Sequence, residues 1–148
     1  MKIGFNCSSF DFFHAGHVTM LKVEKQHCNY LICALHVDPT LDRPDTKNKP
    51  VQSIYERYVQ LQACKYIDEI LVYSTEEDLE NILKTQTINI RFLGDEYKSK
   101  PFTGKQWCLD NGIELFYHNR QHPFSSSSLR ERTYQAELKR MERLKEKG

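Results

Sequence analysis

Two histidines, His14 and His17, flank Ala15-Gly16 directly after the stretch Ser8-Ser9-Phe10-Asp11-Phe12-Phe13. A short apolar run, Ile3-Gly4-Phe5, leads into this stretch and residues with helical spacing follow it. The segment therefore reads as a strand, a tight turn and a helix start. A helix N-terminus gathers free N–H groups and the positive end of the macrodipole, which makes it an anion site. Imidazoles add ring donors that can be aimed at a phosphate oxygen. The chemistry suited to these residue types is phosphate binding and stabilisation of charge that develops on phosphate oxygens.

Other polar residues fit the same chemistry. The hydroxyls of Ser8 and Ser9 can join the imidazoles around a phosphate. Lys47 and Lys49 lie in a polar loop from which they can close over a phosphate and neutralise it. Arg120 offers a two-pronged guanidinium for phosphate oxygens. Ser125, Ser126 and Ser127 lead into a last helix, whose cap is expected from Ser128-x-x-Glu131, so that a second helix mouth points at the same anion. Phosphoryl-group chemistry needs positioning and charge stabilisation rather than a protein nucleophile. Taken singly, loop lysines are commonly solvated charges and a serine run is commonly a linker; it is their arrival at one place that makes them candidates.

The elements that would bring them together follow from periodicity. Lys2–Cys7 reads as a first strand and residues 16–26 as a helix with Val18 and Leu21 inward. Tyr30–Val37 is nearly all apolar, as in a strand buried on both faces of a parallel sheet. Residues 38–50 form a long polar loop, and long ordered loops tend to carry function. Ser53-x-x-Glu56 is a capping box ahead of Ile54, Tyr58 and Leu61. Ile70–Tyr73 is a third strand, Thr75 caps a helix carrying Leu79, Ile82 and Leu83, and Ile88–Leu93 is a fourth strand ending at Gly94-Asp95. A short helix at 104–109, a strand at 113–117 and a helix bearing Tyr134, Leu138, Met141 and Leu144 complete the chain. Strands alternating with helices predict an α/β fold: a single Rossmann-like, doubly wound, parallel five-stranded sheet with helices on both faces. Residues 1–128 form the α/β domain, and 129–148 an amphipathic helix packed on the domain or on a partner. Ligands of such sheets bind beyond the carboxyl ends of the strands, where the strand order switches. The segments leaving strands one, two, four and five hold nearly all the candidate residues.

Composition narrows the function classes. A net charge of +1 over 148 residues gives no general electrostatic grip on nucleic acid. There is no apolar run of about 18 residues to insert in a membrane, and no apolar leader at the N-terminus, so the cytoplasm is the expected compartment. The five cysteines form no C-x-x-C pair and read as small buried hydrophobes in a reducing environment. Zinc needs a compact His/Cys cluster; only the His14–His17 pair approaches one, and no metal-ligating side chain is assigned.

Phe10-Asp11-Phe12-Phe13-His14-Ala15-Gly16-His17 resembles the (S/T)-F-D-x-x-H-x-G-H signature of the nucleotidyltransferase superfamily, and more closely that of glycerol-3-phosphate cytidylyltransferase and its relatives. The resemblance runs from the first strand to about Arg132. Lys47-x-Lys49 matches the paired loop lysines, Ser53-Ile-Tyr-Glu-Arg57 the S-x-x-x-R helix, and Tyr66-Ile67-Asp68-Glu69-Ile70 the Y-V-D-E-V stretch. Gly94-Asp95-Glu96-Tyr97 resembles G-D-D-W, and Arg120 to Ser127 resembles R-T-x-G-I-S-T-T. The chain departs from the pattern at Ser8 and Ser9 (Gly and Thr), at Glu96 and Tyr97 (Asp and Trp), and at His122-Pro123-Phe124 in place of a flexible Gly-Ile segment.

The resemblance implies a transfer of CMP from CTP to a small phosphate monoester such as glycerol 3-phosphate, with release of pyrophosphate. His14, His17, Lys49 and Arg120 would be catalytic. Ser8, Ser9, Phe10 and Lys47 would contact the nucleotide, as would Arg57, the Asp95-Glu96-Tyr97 segment near the base, and Ser125, Ser126 and Ser127. Asp38 would orient the acceptor. Mg²⁺ would accompany the triphosphate, held by phosphate oxygens and water, and the protein would be a homodimer. The segment 94–116 is also similar to the adenylyltransferase half of heptose nucleotide enzymes, so an ATP-dependent adenylyltransferase remains open, as does a non-catalytic nucleotide-binding protein.

Overall fold

A computed structural model describes residues 1–119 and 122–148. Five strands, β1 (Ile3–Ser8), β2 (Tyr30–His36), β3 (Glu69–Tyr73), β4 (Ile90–Leu93) and β5 (Glu114–Tyr117), form one parallel sheet in the order β3-β2-β1-β4-β5. The connecting helices are α1 (Ala15–Gln26), α2 (Ile54–Gln62), α3 (Glu76–Thr85) and α4 (Lys105–Asp110), and α5 (Ser126–Lys147) ends the chain. The expected fold class holds.

Alternation of side chains along the strands feeds two cores. On one face Leu31, Cys33, Leu35, Ile90 and Phe92 pack with Leu21 of α1 and Leu61 of α2. On the other, Phe5, Ile32, Ala34 and Tyr73 pack with Leu79 and Leu83 of α3 and Cys108 of α4. The chain thus winds outward from β1 with helices on the first face, then crosses back to β4 with helices on the second.

The switch in strand order lies between β1 and β4. β1 pairs with β2 from Ile3↔Tyr30 to Ser8↔Leu35, whereas its pairing with β4 covers only Gly4↔Ile90 and Phe5↔Arg91. Beyond Phe5 the two strands part, and a crevice opens at Asn6 and Cys7. This is where doubly wound sheets hold ligands.

Most local signals hold. Ser53 and Thr75 cap α2 and α3, each within a capping box. The exit of β4, expected as a loop, is a 3₁₀ turn over Asp95–Lys98. The cap of α5 is Ser125, whose Oγ accepts the Ser128 N–H at 3.0 Å; Ser128 already lies inside the first turn, so the expected Ser128–Glu131 box does not form the cap. No residue of α5 is buried in the isolated chain.

Candidate active site

The turn that presents the two histidines is conformationally costly. Phe10 and Phe12 both have positive φ, 50° and 53°, a region that β-carbons disfavour. Between them the buried Asp11 carboxylate accepts the N–H groups of Val51 and Gln52, each at 3.0 Å, and pairs with Arg130 of α5 at 2.6 Å. The Phe12 N–H donates to Gln52 Oε1 at 2.9 Å, and the Arg130 guanidinium lies over the Phe12 ring. Phe10 is fully buried, against Phe13 and His17. Two distant segments, residues 51–52 and the first turns of α5, therefore hold the turn in a shape it would not adopt alone.

Both imidazoles cap α1. His14 is its N-cap, with Nδ1 accepting the Gly16 N–H at 2.9 Å, and His17 Nδ1 accepts the His14 N–H at 3.1 Å. An imidazole that accepts at Nδ1 carries its proton on Nε2. Each ring is thereby set as an Nε2 donor. His14 Nε2 lies 3.1 Å from the Ser126 hydroxyl at the mouth of α5, so the two helix N-termini converge. Burial, helped by the neighbouring His14, lowers the His17 pKa to about 3. His17 is a neutral hydrogen-bond donor at physiological pH. Its ring stacks on Phe13 with an interplanar angle of 5°. Gly16 is required here because a β-carbon would stand 2.7 Å from His14 Cε1 and 2.9 Å from His122 Cε1.

Around this turn lies a cavity of about 1180 Å³, room enough for a nucleotide and a second small ligand. Ser8, Ser9, His14, His17, Lys47, Asp95, Glu96, Tyr97, Ser125 and Ser126 line it, so most of the candidates do converge. Others stand elsewhere. The buried Arg57 donates to the carbonyls of Ser9 (2.9 Å), His36 (2.6 Å), Val37 (2.7 Å), Gln52 and Ser53, tying the exits of β1 and β2 to α2; it is not on the cavity wall. Lys49 and Ser127 are exposed and off the wall, and the buried Phe10 is off it too. Asp38 closes its own loop, accepting from the Thr40 N–H and hydroxyl at 2.9 and 2.6 Å, bonds that lower its pKa. Arg120 lies outside the described residues.

Sequence reasoning passed over several wall residues. The fully buried Glu24 of α1 accepts from Asn6 Nδ2 and from His118 Nε2, the latter at 2.7 Å. On the opposite face of the sheet, Arg43 pairs with Glu76 at 2.9 Å, and Asp42 accepts the Glu76 N–H. Donor atoms of His36, Asp42 and Glu76 lie within 4.8 Å of one another. These carboxylates are already engaged by Arg43, Thr103 and a backbone N–H. The side chains around the two imidazoles offer hydroxyl, ammonium and N–H groups, a set that suits phosphate oxygens; a divalent cation there would be held by those oxygens and water rather than by the chain. Asn6, Glu24 and His118 stand far apart in the sequence, as do Arg43 and Glu76, and only the topology brings them together.

The description of the cytidylyltransferase-like family matches residues 5–132. Among curated proteins, the chain is 31% identical over 122 residues to the ethanolamine-phosphate cytidylyltransferase of Mus musculus, covering 72% of this chain and 30% of that protein. It is 44% identical over 71 residues to a probable ethanolamine-phosphate cytidylyltransferase of Encephalitozoon cuniculi, covering 48% of this chain and 22% of the other. It is also 27% identical over 129 residues to the bifunctional protein HldE of Nitrobacter winogradskyi, covering 87% and 26%. The chain thus spans less than a third of the length of these relatives. Among solved structures, a lipopolysaccharide core biosynthesis protein from Thermoplasma volcanium shares the fold, with a TM-score of 0.65 at 17% identity, covering 82% of this chain and 99% of that one. With its fold, its paired imidazoles at the α1 mouth and this match over residues 5–132, the chain belongs to the cytidylyltransferase-like family.

Proposed function

We propose that the cavity is a nucleotidyltransferase active site, in which a phosphate-monoester acceptor attacks the α-phosphorus of CTP and pyrophosphate leaves. The observation that carries this reading is the pair of imidazoles with Nδ1 locked as acceptor and the proton held on Nε2, at two converging helix mouths. A monoester phosphate is anionic at pH 7 and needs no strong base, so the demand on the protein is charge stabilisation in line with the breaking P–O bond. His17, neutral and preoriented, donates to phosphate oxygens without the cost of losing a proton. His14 and Ser126 hold the adjacent oxygens. Lys47 on the wall neutralises the departing pyrophosphate, the task that the sequence resemblance also gives to Lys49 and Arg120. Mg²⁺ bound to the triphosphate adds charge neutralisation.

CTP is preferred over ATP because two of the similar proteins are named as ethanolamine-phosphate cytidylyltransferases. The same likeness supports phosphoethanolamine ahead of glycerol 3-phosphate as acceptor, and the Asp95 and Glu96 carboxylates on the wall suit an ammonium group. The likeness to HldE keeps ATP and a sugar phosphate as the second reading. We further infer a homodimer, in which a second copy covers the exposed stripe of Tyr134, Leu138, Met141 and Leu144 on α5. A pyrophosphate-release screen of CTP and ATP against the phosphate esters of ethanolamine, choline, glycerol, ribitol and heptose tests the assignment. Release with CTP and an amino-alcohol phosphate is expected; release with ATP and heptose phosphate would replace it, and no release with any pair would end it.

A further inference from the structure

The polar group formed by Asn6, Glu24 and His118 has no part in the phosphate chemistry, yet all three residues line the cavity. Asn6 projects from β1 at the point where β1 and β4 part, Glu24 from the third turn of α1, and His118 from just beyond β5. Glu24 is 1% exposed and Asn6 3%. Burying a carboxylate beside an apolar core is costly unless its oxygens are bonded, and here Asn6 Nδ2 and His118 Nε2 serve one oxygen each. His118 packs on the rings of Phe92 and Phe116. The side-chain amide of Asn6 is therefore held by its nitrogen, and its Oδ1 is buried without a hydrogen-bond partner among the described residues. A carbonyl oxygen left in that state costs free energy unless a ligand supplies a donor.

The direction of the cavity says which part of a nucleotide would supply it. Glu24 lies seven residues beyond His17 on α1, about 10 Å along the helix at 1.5 Å per residue, comparable to the span from an α-phosphate to the far edge of its base. Met20 and Val23 of α1 and Phe92 of β4 line the space between, an apolar passage fit for a flat ring. We propose that Asn6, held by Glu24 and His118, is the residue that reads the base. Its Oδ1 accepts from the exocyclic amino group of a 4-aminopyrimidine or 6-aminopurine and opposes the 4-oxo or 6-oxo group of uracil or guanine. Glu24 and His118 are positioning residues. This assignment rests on the nucleotidyltransferase reading above. It places the base against the wall opposite Asp95–Tyr97, where the sequence resemblance put it.

Calorimetric titration of the full chain with the Mg²⁺ complexes of CTP, UTP, ATP and GTP tests it. The parent protein is expected to bind CTP at least about tenfold more tightly than UTP, the scale of one unpaired buried polar group. Asn6→Thr preserves a strand-compatible side chain, and its hydroxyl can donate as well as accept. It should admit UTP and bring the CTP:UTP ratio to within about threefold of unity. Asn6→Ala should narrow the ratio by weakening CTP, and circular dichroism of both variants checks that they fold. Equal affinities for CTP and UTP in the parent would overturn the proposal, as would an unchanged ratio in folded Asn6→Thr. Loss of discrimination in Tyr97→Ala but not in Asn6→Thr would return the base to the other wall. If the parent binds no triphosphate at all, the nucleotidyltransferase reading itself falls, an outcome distinct from selectivity that Asn6 does not control.

Discussion

At the residue scale, the informative fact about His17 is its tautomer. Because its Nδ1 accepts from the backbone of His14 and burial holds its pKa near 3, it stays neutral through the range in which an ordinary histidine titrates. Removing such a donor costs turnover rather than binding. His17→Ala is expected to lower kcat by about 10²-fold or more with a smaller change in KM, by analogy with lost oxyanion donors; steady-state pyrophosphate release checks this. The same shift has a consequence for stability. The unfolded chain protonates this imidazole at about pH 6.5, the folded chain only near 3. Between those values the unfolded state binds more protons, so stability falls as pH falls through that window. Glu24, whose pKa burial raises, contributes in the opposite sense as pH rises. Urea unfolding of His17→Asn against the parent, from pH 7 down to pH 4, isolates the histidine: the variant should show the shallower loss.

Elements position these residues through their ends. The mouth of α1 is closed by imidazoles where helices usually carry Ser, Asp or Glu, and Gly16 is the space that permits it. Gly16→Ala would ordinarily favour a helix by up to about 1 kcal/mol. Here its β-carbon meets the rings of His14 and His122, so activity should collapse while the unfolding midpoint hardly moves, a combination that assay and thermal melt together would detect. Arg57 of α2 does for the strand exits what the caps do for the helices. Its guanidinium satisfies the carbonyls of Ser9 and Val37 at the exits of β1 and β2, of His36 in β2 and of Gln52 ahead of α2, and Arg57→Ala takes that partner from all four. A loss of about 3 kcal/mol in chemical denaturation is expected. Arg57→Lys should recover little of it, since an ammonium cannot reproduce the fork. An Arg57 variant with unaltered stability would contradict this role and favour the nucleotide contact implied by the resemblance.

For the whole molecule, the crevice between β1 and β4 exists because the chain winds outward to β3 before crossing back. The two cores hold the sheet from both faces, while α5 touches the domain through its first turns, by Ser126 on His14 and Arg130 on Asp11. Its later stripe, with Tyr134 and Leu144 each more than half exposed, is the surface the homodimer would cover. Leu138→Glu combined with Leu144→Glu is expected to shift the protein from dimer to monomer in light scattering, leaving the domain folded. A monomeric parent would remove that assignment.

What the sequence determined by itself was whatever depends on neighbours along the chain: strand and helix periods, the capping box at Ser53, the cap at Thr75, and the pair of histidines at a helix start. These follow from contacts a few residues apart, and together they imply the fold class. The tertiary structure decided what depends on strand order. Asp11 meets Arg130 across 119 residues and Glu24 meets His118 across 94, and nothing local to those positions points to a partner. Arg57 and Lys49 illustrate the other side of the same physics. A charged residue in a suggestive motif faces either backbone carbonyls, solvent or ligand, and that choice is made only when α2 and the long loop are laid against the ends of β1 and β2. The two imidazoles could be found from spacing alone; their tautomers, and the neutral state of His17, required the packed turn around them.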